Sequence, residues 1–207
     1  MSTDAAHSDP TPSSRADSGQ VVGRDPFTPV ARTAAAELCD RYRAQYGCDF
    51  VSVTAADLYG PGSFGAHDRP GWPGSAVPAL LRTLLRAKED GTPAVTLAGG
   101  GRRCELLHLD DLADACVFVM EHVSEAGPLR VGSGDHLTQR EFALLLANVV
   151  GYPGKLEFDE DGPGAAFDAA PDSEMRLSAT DWRAKTALRE GLQATYEWYR
   201  QLRAVTA

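Results

Sequence analysis

The sequence predicts an α/β fold in which helices cover a parallel sheet. Two observations support this prediction. Short apolar runs rich in valine alternate with amphipathic helical runs along the chain, and Gly- and Pro-rich turns separate them. With 207 residues, the chain is long enough to bury a core of ordinary domain size.

Composition excludes several classes of function. The net charge of −9 makes a nucleic-acid partner unlikely, since such binding needs clustered cations. The N-terminus has no apolar signal segment, and no run approaches the ~18 apolar residues of a membrane span. The four cysteines show no C-x-x-C spacing, and no His/Cys/Asp cluster has the spacing of a metal site. We expect a cytoplasmic protein with no membrane partner and no metal.

The chain divides into a tail and one domain. Residues 1–24 are rich in Ser, Asp and Pro and contain only an isolated pair of valines. Such a segment cannot bury enough apolar surface to offset its ordering entropy, so we expect a disordered tail. Residues 25–207 are expected to form a single domain.

The first half of this domain begins with a helix. Ala34, Leu38 and Tyr42 fall on one stripe, and Gly47 is placed to end the helix. The following run DFVSVTAA is typical of a strand buried on both faces, as in a parallel sheet. A Gly/Pro-rich loop then precedes an amphipathic helix that ends at Gly91. The predicted elements are a helix over 33–46, a strand over 49–56, a loop over 58–76 and a helix over 77–91.

The second half continues the alternation. Two acidic residues in the first turn favour a helix from residue 110, and Thr138 with Glu141 forms a capping box before an apolar run that stops at Gly151. An acidic Gly/Pro-rich loop separates the last strand from the final amphipathic helix. The predicted elements are strands over 93–99, 104–109, 129–134 and 155–158, helices over 110–123, 137–151 and 186–204, and a loop over 159–174.

Five sequence segments, in this order, resemble the C-terminal portion of the extended short-chain dehydrogenase/reductase family, with the GDP-L-fucose synthases as the nearest branch. These segments are RYRAQYGCDFVSVTAADLYGPG, VPALLRTLLRAKEDGTPAVTLAGGG, ELLHLDDLADACVFVMEH, LRVGSGDHLTQREFALLLANVVGYPGKLEFD and WRAKTALREGLQATYEWYR. The resemblance implies a truncated fold of that family: a remnant of the parallel sheet plus a substrate-binding subdomain, without the nucleotide-binding half.

The resemblance also implies lost catalytic groups. The family's catalytic Tyr falls on Thr28 and its Lys on Arg32. An aliphatic hydroxyl is a far weaker acid than a phenol, so Thr28 cannot protonate a carbonyl as the Tyr does. The Gly-rich turn that holds the dinucleotide belongs to the absent half. We therefore expect no nicotinamide cofactor.

Further substitutions fall on the substrate side. The resemblance aligns the family's His that acts as the acid in epimerisation with Ser75. It aligns a family Arg with Cys104 and a family aromatic residue with Leu97. A second family Arg aligns roughly with Thr83, and Arg82 and Arg103 could partly substitute for the lost contacts to the diphosphate. The candidate lining of a small-molecule site consists of Thr28, Arg32, Ser75, Leu97, Arg103 and Cys104.

Candidate catalytic residues lie before and within the loop over 58–76. Asp57 stands where the family usually has a substrate-contacting Asn, and a carboxyl group there could act as a general base or could cap the loop. Tyr59 and His67 are further candidates, although a core tyrosine and a solvated loop histidine are the commoner outcomes. Trp72 could be a lid or a platform for the ligand.

Two kinds of function remain open. The expected one is a cofactor-independent enzyme of bacterial secondary metabolism that catalyses isomerisation, elimination or cyclisation, including pericyclic ring closure, on a small molecule. The alternative is a non-catalytic or split-subunit partner of an NAD(P)-dependent nucleotide-sugar epimerase/reductase. We expect a homodimer, because the absent half leaves a sheet edge and an apolar helix face without their neighbours.

Overall fold

The structure is a computed structural model, and it describes residues 27–63, 76–159, 175–177 and 180–206. The tail expected over residues 1–24 lies outside the described residues. In the described part, helices and strands alternate along most of the chain, as the sequence pattern predicts. The helices are α1 (Phe27–Tyr46), α2 (Ala76–Glu89), α3 (Leu109–His122), α4 (Gln139–Val150) and α5 (Leu188–Thr206).

The strands form three small sheets. Their bounds are β1 (Ser52–Ala55), β2 (Asp57–Tyr59), β3 (Ala94–Ala98), β4 (Arg103–His108), β5 (Pro128–Val131), β6 (His136–Thr138), β7 (Lys155–Asp159) and β8 (Met175–Arg176). One sheet has the order β1-β5-β8, a second β2-β4-β6, and β3 pairs with β7. All pairings are parallel except β4 with β6, which is antiparallel. The predicted α/β fold with a parallel sheet is confirmed.

Two apolar clusters lie on opposite faces of β2 and β4. Because successive side chains of a strand point to opposite faces, Tyr59 and Leu106 belong to one cluster while Leu58 and Leu107 belong to the other. The first cluster is completed by α2, α4 and α5. The second contains β1, β5 and α3, together with Leu177 and Trp182, so it fills the other side of the strands.

Helix ends follow the local signals of the sequence. The Thr138 hydroxyl accepts a hydrogen bond from the Glu141 amide, and the Glu141 carboxylate accepts one from the Thr138 amide, which completes the predicted capping box of α4. Gly151 ends the same helix in the left-handed conformation, with φ at 68°. Gly47 has φ at 67° and donates its amide to the carbonyl of Arg43 at 3.0 Å at the end of α1.

The short strands were not predicted. β2, β6 and β8 contain three, three and two residues. β2 falls largely in the expected loop, β6 at the start of an expected helix, and β8 where no element was predicted. β1 also differs from the expectation of a strand buried on both faces. Its four residues are all half-buried, because β1 lies at the edge of its sheet with β5 as its neighbour on one side.

Helix α1 is longer than predicted, and other described parts of the protein bury little of its surface. It begins at Phe27 rather than Thr33, and none of its described side chains is buried. Its exposed apolar residues continue past the helix end, and Tyr42 contacts both Tyr46 and Phe50 with ring centroids 5.3 and 6.0 Å apart. We call this surface the α1 stripe; it consists of Val30, Leu38, Tyr42, Tyr46 and Phe50.

The structure also bears on the expected absence of membrane spans. In the described ranges, every helix is too short or too polar to cross a membrane.

Candidate functional site

Asp57 and Cys104 lie close together on the strands β2 and β4. Asp57 is opposite Leu106 in the parallel pairing, and Cys104 is two residues before Leu106, so the two side chains share one face. Cys104 is 2% exposed, and its thiol donates a hydrogen bond to the carbonyl of Leu137 at 3.4 Å. The structure thus brings together a predicted catalytic residue and a predicted substrate-binding residue.

The electrostatics of this face disfavour a reactive thiol. Burial, followed by the charges of Asp57 and Glu141, raises the pKa of Cys104 to about 12. The thiol is therefore protonated at neutral pH and is a poor nucleophile. The same negative charges would repel an anionic group placed on this face, where the resemblance implies an arginine.

Arg103 does not replace that arginine from the same side. It is exposed while Cys104 is buried, as expected for adjacent residues of one strand. Its guanidinium instead acts on Glu141 at the start of α4, where it contributes to lowering the pKa of that carboxyl after the Thr138 hydrogen bonds. Arg103 therefore does not occupy the position of Cys104 on the buried face, and whether it contacts a ligand from the exposed side stays a prediction.

Leu97 lies in β3 and is half-buried. It packs against the apolar cluster that contains Cys104 and Leu106. Its role in the structure is therefore packing, and whether it also contacts a ligand stays a prediction.

Tyr59 and His108 form a second polar feature at the carboxyl ends of β2 and β4. Their rings meet edge to face with centroids 5.2 Å apart, and both side chains are buried. The pKa of Tyr59 is raised by burial and then by the charge of Asp111. The phenol is therefore protonated at neutral pH, so Tyr59 is not a base there.

The His108 ring has one satisfied and one unsatisfied nitrogen. Its Nδ1 accepts a hydrogen bond from the Asp110 amide at 3.3 Å and caps α3. Nε2 is buried and has no hydrogen-bond partner among the described residues. The ring borders a cavity of about 20 Å³, which is lined by Tyr59, Leu106, His108, Asp111, Ser133, Asp135, Leu137, Thr186 and Leu188.

The acids of α3 fix the segment that enters α5. Asp111 accepts hydrogen bonds from the amides of Lys185 and Thr186 at 3.0 and 3.2 Å. Asp114 accepts one from the Trp182 indole at 2.9 Å and pairs with the Lys185 ammonium at 2.8 Å. These carboxylates hold chain segments together and are structural in the described part of the molecule.

Five predicted site residues cannot be placed in a site. His67, Trp72 and Ser75 lie outside the described residues. Thr28 and Arg32 are in α1, of which the structure describes only the backbone at these two positions. Their proposed roles stay predictions.

The glycine run over 99–101 does not have the geometry of a dinucleotide-binding turn. Gly99, Gly100 and Gly101 connect β3 to β4, two strands, whereas a phosphate-binding turn connects a strand to a helix N-terminus. The backbone of this run is also engaged elsewhere, since the Gly99 amide donates to Asp159 at 2.7 Å and the Gly100 carbonyl accepts from Arg140 at 3.1 Å. Across the described ranges, no group of three or more His, Cys, Asp or Glu side chains is arranged to hold a metal ion.

One buried pair was missed by the sequence analysis. Glu105 and Arg130 are each 6% exposed, and their side chains approach to 3.2 Å. The signal was present, because each is a charged residue with apolar neighbours on both sides in a strand, and their charges are opposite. Buried charges of this kind need a partner.

Known proteins resemble this chain both as a family and individually. A model described as the NAD dependent epimerase/dehydratase family matches residues 1–132. GDP-L-fucose synthase 1 of Arabidopsis thaliana is 39% identical over 171 residues, which cover 82% of this chain and 51% of that protein. GDP-L-fucose synthase of Escherichia coli (strain K12) is 36% identical over 184 residues, which cover 82% of this chain and 54% of that protein.

A solved structure agrees with these relatives. A GDP-mannoheptose C4 reductase from Campylobacter jejuni with NADP bound superposes with a TM-score of 0.64 at 28% identity, covering 83% of this chain and 56% of that one. The chain therefore spans about half the length of the curated relatives it matches.

These relatives overturn the expectation of a cofactor-independent cyclase, isomerase or lyase. They are GDP-L-fucose synthases and a sugar reductase with NADP bound, and none of their names indicates cyclisation or natural-product chemistry. The expectation failed because it took the substituted catalytic positions as evidence for a new reaction. The relationship to nucleotide-sugar enzymes, held as the alternative, fits better.

The strand and helix order, the superposition and the family match over residues 1–132 agree with one another. The resemblance of the five sequence segments is confirmed by relatives that are identical at more than a third of the aligned residues. The chain belongs to the NAD-dependent epimerase/dehydratase family.

Proposed function

We propose that this chain supplies the substrate-binding part of an NAD(P)-dependent enzyme that modifies a nucleotide-linked sugar. The nicotinamide cofactor would be held by a Rossmann half that the described residues do not contain. One observation carries the proposal: GDP-L-fucose synthases match 82% of this chain at 36 to 39% identity.

Three arginines support an anionic ligand. Arg102, Arg103 and Arg140 are exposed around the run 99–101 and the start of α4. Backbone hydrogen bonds from Gln139 to Arg102 and from Arg140 to Gly100 hold the run against the helix, so the arginines share one region. A guanidinium group is suited to a diphosphate because it donates two parallel hydrogen bonds.

Nucleotide binding by the purified chain tests this proposal. Titration calorimetry with GDP-mannose, GDP and UDP is expected to give binding of the guanine nucleotides and weaker binding of UDP. Arg103→Gln should weaken GDP binding about tenfold, as expected for a charged hydrogen bond of roughly 1.4 kcal/mol. The matched control is Arg86→Gln, an exposed arginine on α2. If no nucleotide binds, the proposal is wrong.

We also propose that the chain forms a homodimer through the α1 stripe. The stripe contains five exposed apolar side chains, of which Val30 and Tyr46 are 66% and 63% exposed. A contiguous exposed apolar surface on a folded protein commonly marks an interface.

A further inference from the structure

The strongest unused feature of the molecule is the buried pair of Glu105 and Arg130. Glu105 is in β4, the central strand of the β2-β4-β6 sheet, and Arg130 is in β5, the central strand of the β1-β5-β8 sheet. The Arg130 Nη2 donates to Glu105 Oε2 at 3.2 Å. The ion pair therefore connects the centres of two separate sheets.

The second carboxylate oxygen of Glu105 holds a turn. Its Oε1 accepts a hydrogen bond from the Gly134 amide at 2.9 Å. Gly134 belongs to the turn over 132–135, which connects β5 to β6, and we call this segment the β5–β6 turn. A carboxylate that accepts from a backbone amide forms a stronger hydrogen bond than a neutral acceptor does.

The first residue of the turn is fitted to this carboxylate. A Cβ atom at Gly132 would collide with the Glu105 carboxylate, so a side chain there would force the carboxylate to move. The carboxylate is thus enclosed by the backbone of Gly132, the amide of Gly134 and the guanidinium of Arg130. Such an arrangement leaves Glu105 little freedom to move.

The β5–β6 turn carries two residues to the cavity beside Tyr59 and His108. Ser133 and Asp135 both line this cavity, on either side of the amide that Glu105 holds. The cavity lies at the carboxyl ends of the parallel strands β2 and β4, the edge at which α/β folds bind ligands.

We propose that Glu105 is a positioning residue that, with Arg130 as its buried counter-charge, fixes the β5–β6 turn and so places Ser133 and Asp135 at the cavity. Neither charged side chain reaches the cavity itself, so the pair acts through the turn. The effect of Glu105 on the β5–β6 turn does not depend on the proposed function. Only its effect on nucleotide-sugar binding rests on that proposal.

The test separates positioning from general stability by using a paired replacement. Replacing both partners of a buried ion pair by apolar residues often restores stability, whereas removing one partner leaves a buried charge alone. Glu105→Leu/Arg130→Met should therefore unfold at a urea concentration close to that of the wild type. Glu105→Gln and Arg130→Met as single changes should be less stable.

Amide hydrogen exchange measured by NMR gives the positioning readout. In the paired variant the Gly134 amide lacks its acceptor, and its exchange is expected to be at least tenfold faster than in the wild type. The amide of Ala56, which donates to the carbonyl of Val131, should keep its rate. If Gly134 exchanges as slowly in the paired variant as in the wild type, Glu105 does not position the turn.

A buried polar control completes the design. Thr195 is 1% exposed, and its hydroxyl donates to the Gly191 carbonyl within α5. Thr195→Val should leave Gly134 exchange unchanged after correction for stability. GDP-mannose binding is then compared among the same variants. Absence of binding by the wild type refutes the proposed function alone, whereas unchanged binding by a paired variant with fast Gly134 exchange refutes the link between turn and ligand.

Discussion

Asp57 and Cys104 lie on one face of the paired strands β2 and β4, where burial and then the Asp57 charge raise the pKa of the Cys104 thiol to about 12. The pKa of a cysteine in the unfolded chain is lower, so the unfolded state loses this proton first as pH rises. The contribution to stability is complete below about pH 9 and is lost as pH increases toward the folded pKa.

The first prediction follows from this decrease in stability with rising pH. The free energy of unfolding should decrease above about pH 9, and Cys104→Ser should flatten that decrease because serine does not titrate. Urea denaturation at a series of alkaline pH values measures the effect. Cys116→Ser is the matched control, since Cys116 is exposed and should leave the pH dependence unchanged. An equal slope in all three proteins would contradict the assignment.

The second prediction concerns Asp57 and an anionic ligand. Asp57→Asn removes a negative charge from the face where the resemblance implies substrate. GDP should then bind about fivefold more tightly, which corresponds to about 1 kcal/mol of relieved repulsion. Titration calorimetry measures the change, with Asp90→Asn as a control at an exposed site on the far end of α2. Weaker GDP binding by Asp57→Asn would instead indicate that the carboxylate contacts the ligand favourably.

The third prediction uses two glycines that differ in their surroundings. Gly132→Ala forces a Cβ atom against the Glu105 carboxylate and should cost about 1–3 kcal/mol of stability. Gly101→Ala introduces a Cβ atom with nothing within 4 Å and should change stability by less than about 0.5 kcal/mol. Chemical denaturation of both variants provides the comparison. Equal stability of the two would show that Glu105 moves aside without cost.

The fourth prediction tests the α1 stripe. Light scattering of the wild type at micromolar concentration should give the mass of a dimer, and Leu38→Glu should give the mass of a monomer. Met120→Glu is the control, because Met120 is 77% exposed on α3 and lies outside the stripe. A dimer that survives Leu38→Glu would place the interface elsewhere, and a wild-type monomer would remove the proposal of a homodimer.

The fifth prediction concerns the nicotinamide cofactor. The described glycine run joins two strands, and its backbone is already hydrogen-bonded to Asp159 and Arg140. We therefore expect the chain alone to show no saturable binding of NADPH by fluorescence titration. Saturable binding would mean that residues outside the described ranges form a dinucleotide site.

The sequence predicted the features that local physics determines. The capping box of Thr138 and Glu141 and the glycine at the end of α4 are local hydrogen-bond and backbone effects, so they were recognised before the structure. The strands β2, β6 and β8 were missed because two or three residues carry no detectable periodicity. They exist because neighbouring strands pair with them, which is information that no single segment contains.

The candidate site was predicted in part. Asp57 and Cys104 were both named from the resemblance, and the structure places them together. The sequence did not show that Arg103 and Cys104 lie on opposite faces of β4, as neighbours in a strand do. Glu105 and Arg130 are 25 residues apart, and their pairing depends on how two sheets meet. Complementary charges in apolar strands were the available clue.

The parallel pairing of the strands also bears on how the chain reaches its folded state. Ser52 is opposite Pro128, and Ala94 is opposite Lys155, so each of these pairs forms only after a long intervening segment closes. Closing such loops costs entropy before the pairing returns any free energy, and proteins with many distant contacts fold slowly, on the scale of milliseconds to seconds. During that interval the unpaired strands are exposed to other chains. Refolding from urea should therefore be slower and less complete at high protein concentration than at low concentration.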